Sequence, residues 1–207
     1  MRLLRSLFFS RRKRREIWRT FAEENGGRYF EGGWLKSDRV EFMDGGSEIR
    51  LTAEYDAESG TRGTCFWSAL ELNHDVSVIL MKNWPMQRLL DSLGMFEAVA
   101  SKKGWKKIPL SELGIDADGF VLTTTASSAQ RIFDSAELQA AIGVQDRLLL
   151  TAGGGGSFPR SCGISGSGPQ MALLVPGIAE SVTQLADLLQ LYRLLIDTLQ
   201  AAGMVRR

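Results

Sequence analysis

Residues 178–202 limit the possible folds more than any other stretch of this chain. Ile178, Val182, Leu185, Leu189, Tyr192, Ile196 and Leu199 recur in steps of four and three. That spacing aligns one face of an α-helix. Leu188, Leu191, Leu194 and Leu195 widen the stripe well beyond a narrow seam. A helix apolar over so much of its circumference must be covered on more than one side. Either other elements of the same chain supply that cover, or a second copy does so in a two-fold dimer. Pro176-Gly177 precedes the stretch and Gly203 stands where a C-terminal cap belongs.

Upstream, the periodicity predicts a first helix over residues 12–25. Ile17 with Phe21 and Trp18 with Ala22 form i,i+4 pairs, and Gly26-Gly27 ends the helix. The period then changes to two. Tyr29-Phe30, Trp34, and Val40 with Phe42 predict short strands, and Asp44-Gly45-Gly46 a hairpin turn. Ile49, Leu51, Ala53 and Tyr55 alternate with Arg50, Thr52 and Glu54. Thr64, Phe66, Ser68 and Leu70 alternate with Cys65, Trp67 and Ala69, and a further strand runs over residues 76–81. This predicts an antiparallel meander of four or five strands. A helical segment follows Trp84-Pro85 with Leu89, Leu90, Leu93 and Phe96, then a basic connector over residues 102–107. Residues 120–122, 148–150 and 171–175 read as strands, residues 127–142 as one or two short helices, and the glycine-rich 153–168 as a flexible loop. Strands and helices do not alternate as β-α-β units, so the fold class is α+β: an antiparallel meander with flanking helices and the long apolar C-terminal helix packed on the sheet. The expected organisation is a mobile arm over residues 1–10 and one α+β domain over residues 11–207. A division into similar halves, about 11–100 and 101–207, is the alternative.

The net charge of the chain is +1, but residues 1–19 carry +7, which leaves −6 for the remainder. A basic arm on an acidic body is a real asymmetry. Its centre is the run Arg11, Arg12, Lys13, Arg14 and Arg15, with Leu7, Phe8 and Phe9 before it and Trp18 and Phe21 after it. Basic residues beside aromatics suit an anionic membrane surface or a nucleic acid. The bland reading is a solvated arm that opens an amphipathic helix. A second basic cluster, Lys102, Lys103, Lys106 and Lys107, surrounds Trp105. No apolar run approaches the ~20 residues of a membrane-spanning helix. The apolar residues near the start precede the charges, the reverse of a signal peptide, so no export signal is read.

The residues for chemistry are sparse. His74 is the single histidine, in an Asn73-His74-Asp75 turn, and Cys65 and Cys162 offer no compact ligand spacing. The two cysteines fit a reduced, cytosolic chain. Residues 153–157 lack the Gly-Lys-Ser/Thr ending of a phosphate-binding loop. Asp116 and Asp118 give only the start of a calcium loop, with Asp134 apart. No serine lies in a nucleophile elbow, and none has an identifiable base. No cofactor or metal is expected, and no catalytic residue is assigned.

Two regions together resemble a family of uncharacterised bacterial proteins, a domain of unknown function. The first carries Trp18-x-x-Phe21-Ala22-x-x-x-Gly26-Gly27-x-Tyr29, then Gly32-Gly33-Trp34 and Asp38-x-Val40, then a strand ending at Tyr55. Phe21 replaces the usual leucine. The second is residues 120–124, a short helix, and strands ahead of the leucine-rich terminal helix. Residues 64–67, Thr-Cys-Phe-Trp, depart from the Thr-Tyr-Thr-Arg-like strand of that pattern. The resemblance implies a cytoplasmic bacterial α+β protein and brings no active site with it.

The functional expectation is a non-enzymatic cytoplasmic interaction module. Arg11, Arg12, Lys13, Arg14, Arg15, Lys102, Lys103, Lys106 and Lys107 are its candidate contacts to an anionic membrane surface or a protein partner. Nucleic acid is disfavoured, because it would call for a larger basic surface. The alternative is a small-ligand binder with a pocket between sheet and helices, for which Trp34, Trp67 and Trp84 speak. An enzyme lacks a recognisable constellation.

Overall fold

A computed structural model describes residues 2–33, 37–56, 61–70, 72, 77–83, 92–153 and 170–205. The side chains of residues 2–11, 54–56, 61, 62, 99, 103, 126 and 170 lie outside that description. The chain opens with α1 (Arg2–Glu24) and continues through β1 (Arg28–Phe30), β2 (Arg39–Asp44), β3 (Ser47–Asp56), β4 (Thr61–Ala69) and β5 (Val78–Lys82). Then come α2 (Met95–Lys103), β6 (Lys106–Pro109), a 3-10 turn (Leu110–Leu113) and β7 (Gly119–Thr123). The last elements are α3 (Ala126–Phe133), α4 (Ala136–Gly143), β8 (Leu148–Gly153), β9 (Gln170–Pro176) and α5 (Val182–Ala201).

The strands form one sheet in the order β1-β2-β3-β4-β9-β8-β5-β7-β6, and every neighbouring pair is antiparallel. The fold is α+β, as the sequence predicts. The meander is real over β1 to β4, but β5 does not extend it. The β8–β9 pair stands between β4 and β5. Its residues explain why: Leu148, Leu149, Leu150, Met171, Ala172, Leu173 and Leu174 are buried on both faces, the signature of interior strands. One sheet therefore runs through both halves of the sequence.

One face carries the main core. Phe42, Leu51, Phe66, Leu80, Leu150 and Leu173 pack there beneath the helices α1, α3, α4 and α5. A smaller core on the opposite face joins Cys65, Met81, Leu149 and Leu174 to Phe96 and Ala100 of α2. The long terminal helix starts at Val182 instead of Ile178 because the Ser181 hydroxyl caps it, accepting from the Gln184 amide. Leu185, Leu188, Leu189, Leu191, Tyr192, Leu195, Ile196 and Leu199 are all buried. The chain's own helices α1, α3 and α4 all pack against this helix. A second copy is thus not needed to hide its apolar circumference.

Helix ends are tied to distant elements. The buried Lys82 ammonium donates to the carbonyls of Ile142 (3.0 Å) and Gly143 (2.6 Å) at the end of α4, and burial lowers its pKa. Arg131 of α3 donates to the Ala202 carbonyl at the end of α5. These are cations placed against C-terminal carbonyls, where the helix dipole favours them.

Candidate functional site

The basic run sits on α1, and the geometry of that helix determines what each residue can do. Helical backbone begins at Arg2 instead of Arg12, so residues 2–10, expected as a mobile arm, continue the helix. No glycine or proline interrupts the sequence before Gly26. Gly26 ends the helix in the left-handed region at φ 69°, and the Gly27 amide donates to the Ala22 carbonyl at 2.7 Å.

The helix is seated by its C-terminal half. Trp18 and Phe21 are fully buried and Ala22 nearly so. Phe21 stands edge-on to Phe42 at 5.4 Å and to Phe66 at 6.4 Å. These edge-to-face pairs account for an aromatic ring at this position. Gly27 lets the Phe42 ring approach so closely that a Cβ there would lie 2.5 Å from it. Tyr29 lies under the Arg19 guanidinium, 5.4 Å from ring centre to carbon. Trp18, Phe21, Ala22, Gly27 and Tyr29 thus fix α1 on the edge of the sheet.

Next to this seat is a buried carboxylate that is not among the nine candidate contacts. Asp38, 2% exposed, accepts from the Gly32 amide at 2.8 Å, from Arg15 Nε at 3.2 Å and from Arg14 Nη2 at 3.3 Å. Burial pushes the Asp38 carboxyl upward, but the Gly32 amide and the two guanidiniums outweigh it, so its pKa lies below the usual value. Arg15 also donates to Glu31 and to the Gly32 carbonyl. Arg14 stacks at 5.9 Å over Trp18. The signal for Asp38 was the Asp38-x-Val40 element of the resemblance, whose partners lie more than twenty residues away.

The nine candidate residues therefore separate. Arg12 and Lys13 are exposed on α1. Arg14 and Arg15 are turned inward to Asp38. Arg11 and Lys103 have side chains outside the described residues. Lys102 and Lys106 are exposed, while Lys107 pairs with Glu97 at 2.6 Å and lies over the Phe120 ring. Residues 102–107 are not a connector: Lys103 ends α2 and Lys106 starts β6. The sheet order places β6 at one edge and β1, beside α1, at the other. Eight strand spacings separate them, on the order of 40 Å. The two basic clusters thus stand on elements at opposite edges of the sheet.

Trp34, Trp84, His74, Cys162 and residues 154–169 lie outside the described residues. Trp67 is half-buried beneath Arg50, 4.9 Å away. Among the described residues, open grooves with polar walls occur elsewhere. One lies at the start of α5, lined by Asp146, Arg147, Thr183 and Asp187; another is lined by Glu112, Gln130, Arg131 and Asp134. Among the described residues no group of His, Cys, Asp or Glu is placed to hold a metal ion, and no helix is long and apolar enough to cross a membrane.

No known family model and no curated protein matches the sequence. In three dimensions the chain is similar to the crystal structure of the mycobacterial trehalose monomycolate transport factor A, TtfA, with a TM-score of 0.53 at 11% identity. The match covers 91% of this chain and 95% of that one. At this identity the likeness is one of fold, and no TtfA residue is carried over.

Proposed function

We propose that this chain is a non-enzymatic interaction module that docks on an anionic membrane surface through α1, most naturally the cytoplasmic face of a bacterial membrane. The observation that supports this is the asymmetric seating of the helix. Trp18, Phe21 and Ala22 anchor one end in the core, while Arg12 and Lys13 stay exposed and residues 3–9, rich in apolar types, precede them on the same helix. A helix with cations next to Leu3, Leu4, Leu7, Phe8 and Phe9 has the composition of an interfacial anchor. Each lysine or arginine held near an anionic surface contributes about 1 kcal/mol, within a Debye length of about 8–10 Å. Lys102, Lys106 and Lys107 stand at the other edge of the sheet, so this reading assigns the contact to α1. Docking through α1 alone is accordingly weak and reversible, and the acidic body is repelled from the lipid.

Sedimentation with vesicles tests this. The intact chain should pellet with vesicles containing anionic lipid at low salt, be released at high salt, and stay in solution with zwitterionic vesicles. Equal recovery in the supernatant under all conditions would overturn the proposal.

A further inference from the structure

We infer that Asp38 divides the basic run of α1 by task, holding Arg14 and Arg15 as a clip to the body and leaving Arg12 and Lys13 as the pair that meets lipid phosphate. The inference rests on the membrane reading above and says which cations serve it.

The division follows from helix geometry. At 100° per residue, positions 14 and 15 lie four and three residues before Trp18, on the face that turns to the sheet. Positions 12 and 13 fall six and five residues before Trp18, away from that face. Burial agrees: Arg14 and Arg15 side chains are 15% and 24% exposed, whereas Arg12 and Lys13 are exposed. Asp38 is the reason the inward cations stay there. One carboxylate engages both guanidiniums and the Gly32 amide. Glu31 and the Gly32 carbonyl take further Arg15 donors. Guanidiniums committed to a buried carboxylate are poor ligands for a lipid phosphate, because leaving Asp38 would strand its charge in the interior without a counter-ion. Asp38 is thus a positioning residue. It fixes the angle at which α1 leaves the body and limits how much of the run the membrane feels.

Two double variants separate the tasks, with fold checked by circular dichroism. R12Q/K13Q should lower partitioning onto anionic vesicles on the order of 25-fold and leave the thermal midpoint within error of the native chain. R14Q/R15Q should lower the midpoint, yet below it keep vesicle partitioning within about threefold of native, a readout that a general loss of charge would not produce. Partitioning that survives R12Q/K13Q but collapses in folded R14Q/R15Q would overturn the division while leaving the membrane reading intact. Absence of vesicle binding by the intact chain would overturn the membrane reading itself, and the division with it.

Discussion

The Ser68 hydroxyl of β4 lies 2.7 Å from the Tyr192 hydroxyl of α5, across 124 residues of sequence. Tyr192 in turn donates to the Met171 carbonyl of β9 at 2.9 Å, so Ser68 is the donor to Tyr192. Burial pushes the Tyr192 phenol far above its ordinary pKa, which keeps the hydroxyl protonated and able to donate. This chain of two bonds fixes the axial position of α5 over β4 and β9. Replacing Tyr192 by Phe removes both bonds and leaves Ser68 Oγ and the Met171 carbonyl buried without this partner. The expected cost is about 1–3 kcal/mol, read from chemical denaturation.

Leu189 gives a purely apolar counterpart. It is 1% exposed within the main core. Leu189→Ala should cost roughly 2–5 kcal/mol, as a shift in denaturant midpoint with unchanged slope. A shift equivalent to less than about 1 kcal/mol would contradict the packing described.

Gly27 tests the seat of α1. A Cβ at this position would lie 2.5 Å from the Phe42 ring, which is itself held by Phe21. Gly27→Ala should destabilise by about 1–3 kcal/mol through overpacking. A midpoint equal to native would show that the ring can move aside.

Asp38 makes a pH prediction. Its folded pKa is depressed, so its contribution to stability is present above the unfolded value of about 3.9 and is lost as pH falls through the lower folded value. Asp38→Asn should therefore destabilise at neutral pH by about 1–3 kcal/mol. The difference from native should begin to shrink below about pH 4, where the carboxyl of the unfolded chain takes up a proton, and should vanish only once pH has passed the lower folded value. A difference that stayed constant from pH 7 to pH 3 would show that the clip does not depend on the charge of Asp38.

The sequence shows local structure well and pairing poorly, for a physical reason. The stripe from Leu185 to Leu199, the Asp44-Gly45-Gly46 turn, and the alternation of Thr64, Phe66 and Ser68 are one-dimensional signals with fixed periods. The insertion of β8 and β9 between β4 and β5 is a contact between distant segments, and nothing in residues 78–82 alone announces it. The same holds at the site. The basic run is obvious as composition, but the pairing of Arg14 and Arg15 with Asp38 joins residues more than twenty positions apart and shows only in the fold. Lys102 and Lys106 look equivalent to Arg12 and Lys13 in sequence, yet they stand at the far edge of the sheet.

The central claim is that α1 is the element that meets an anionic surface. Amide hydrogen exchange followed with and without anionic vesicles tests it most directly, because it reads each segment separately. The account predicts slowed exchange across residues 2–13 when anionic vesicles are added, reversed by high salt, with residues 102–109 unchanged. Unchanged exchange over residues 2–13, or protection appearing at residues 102–109 instead, would contradict it.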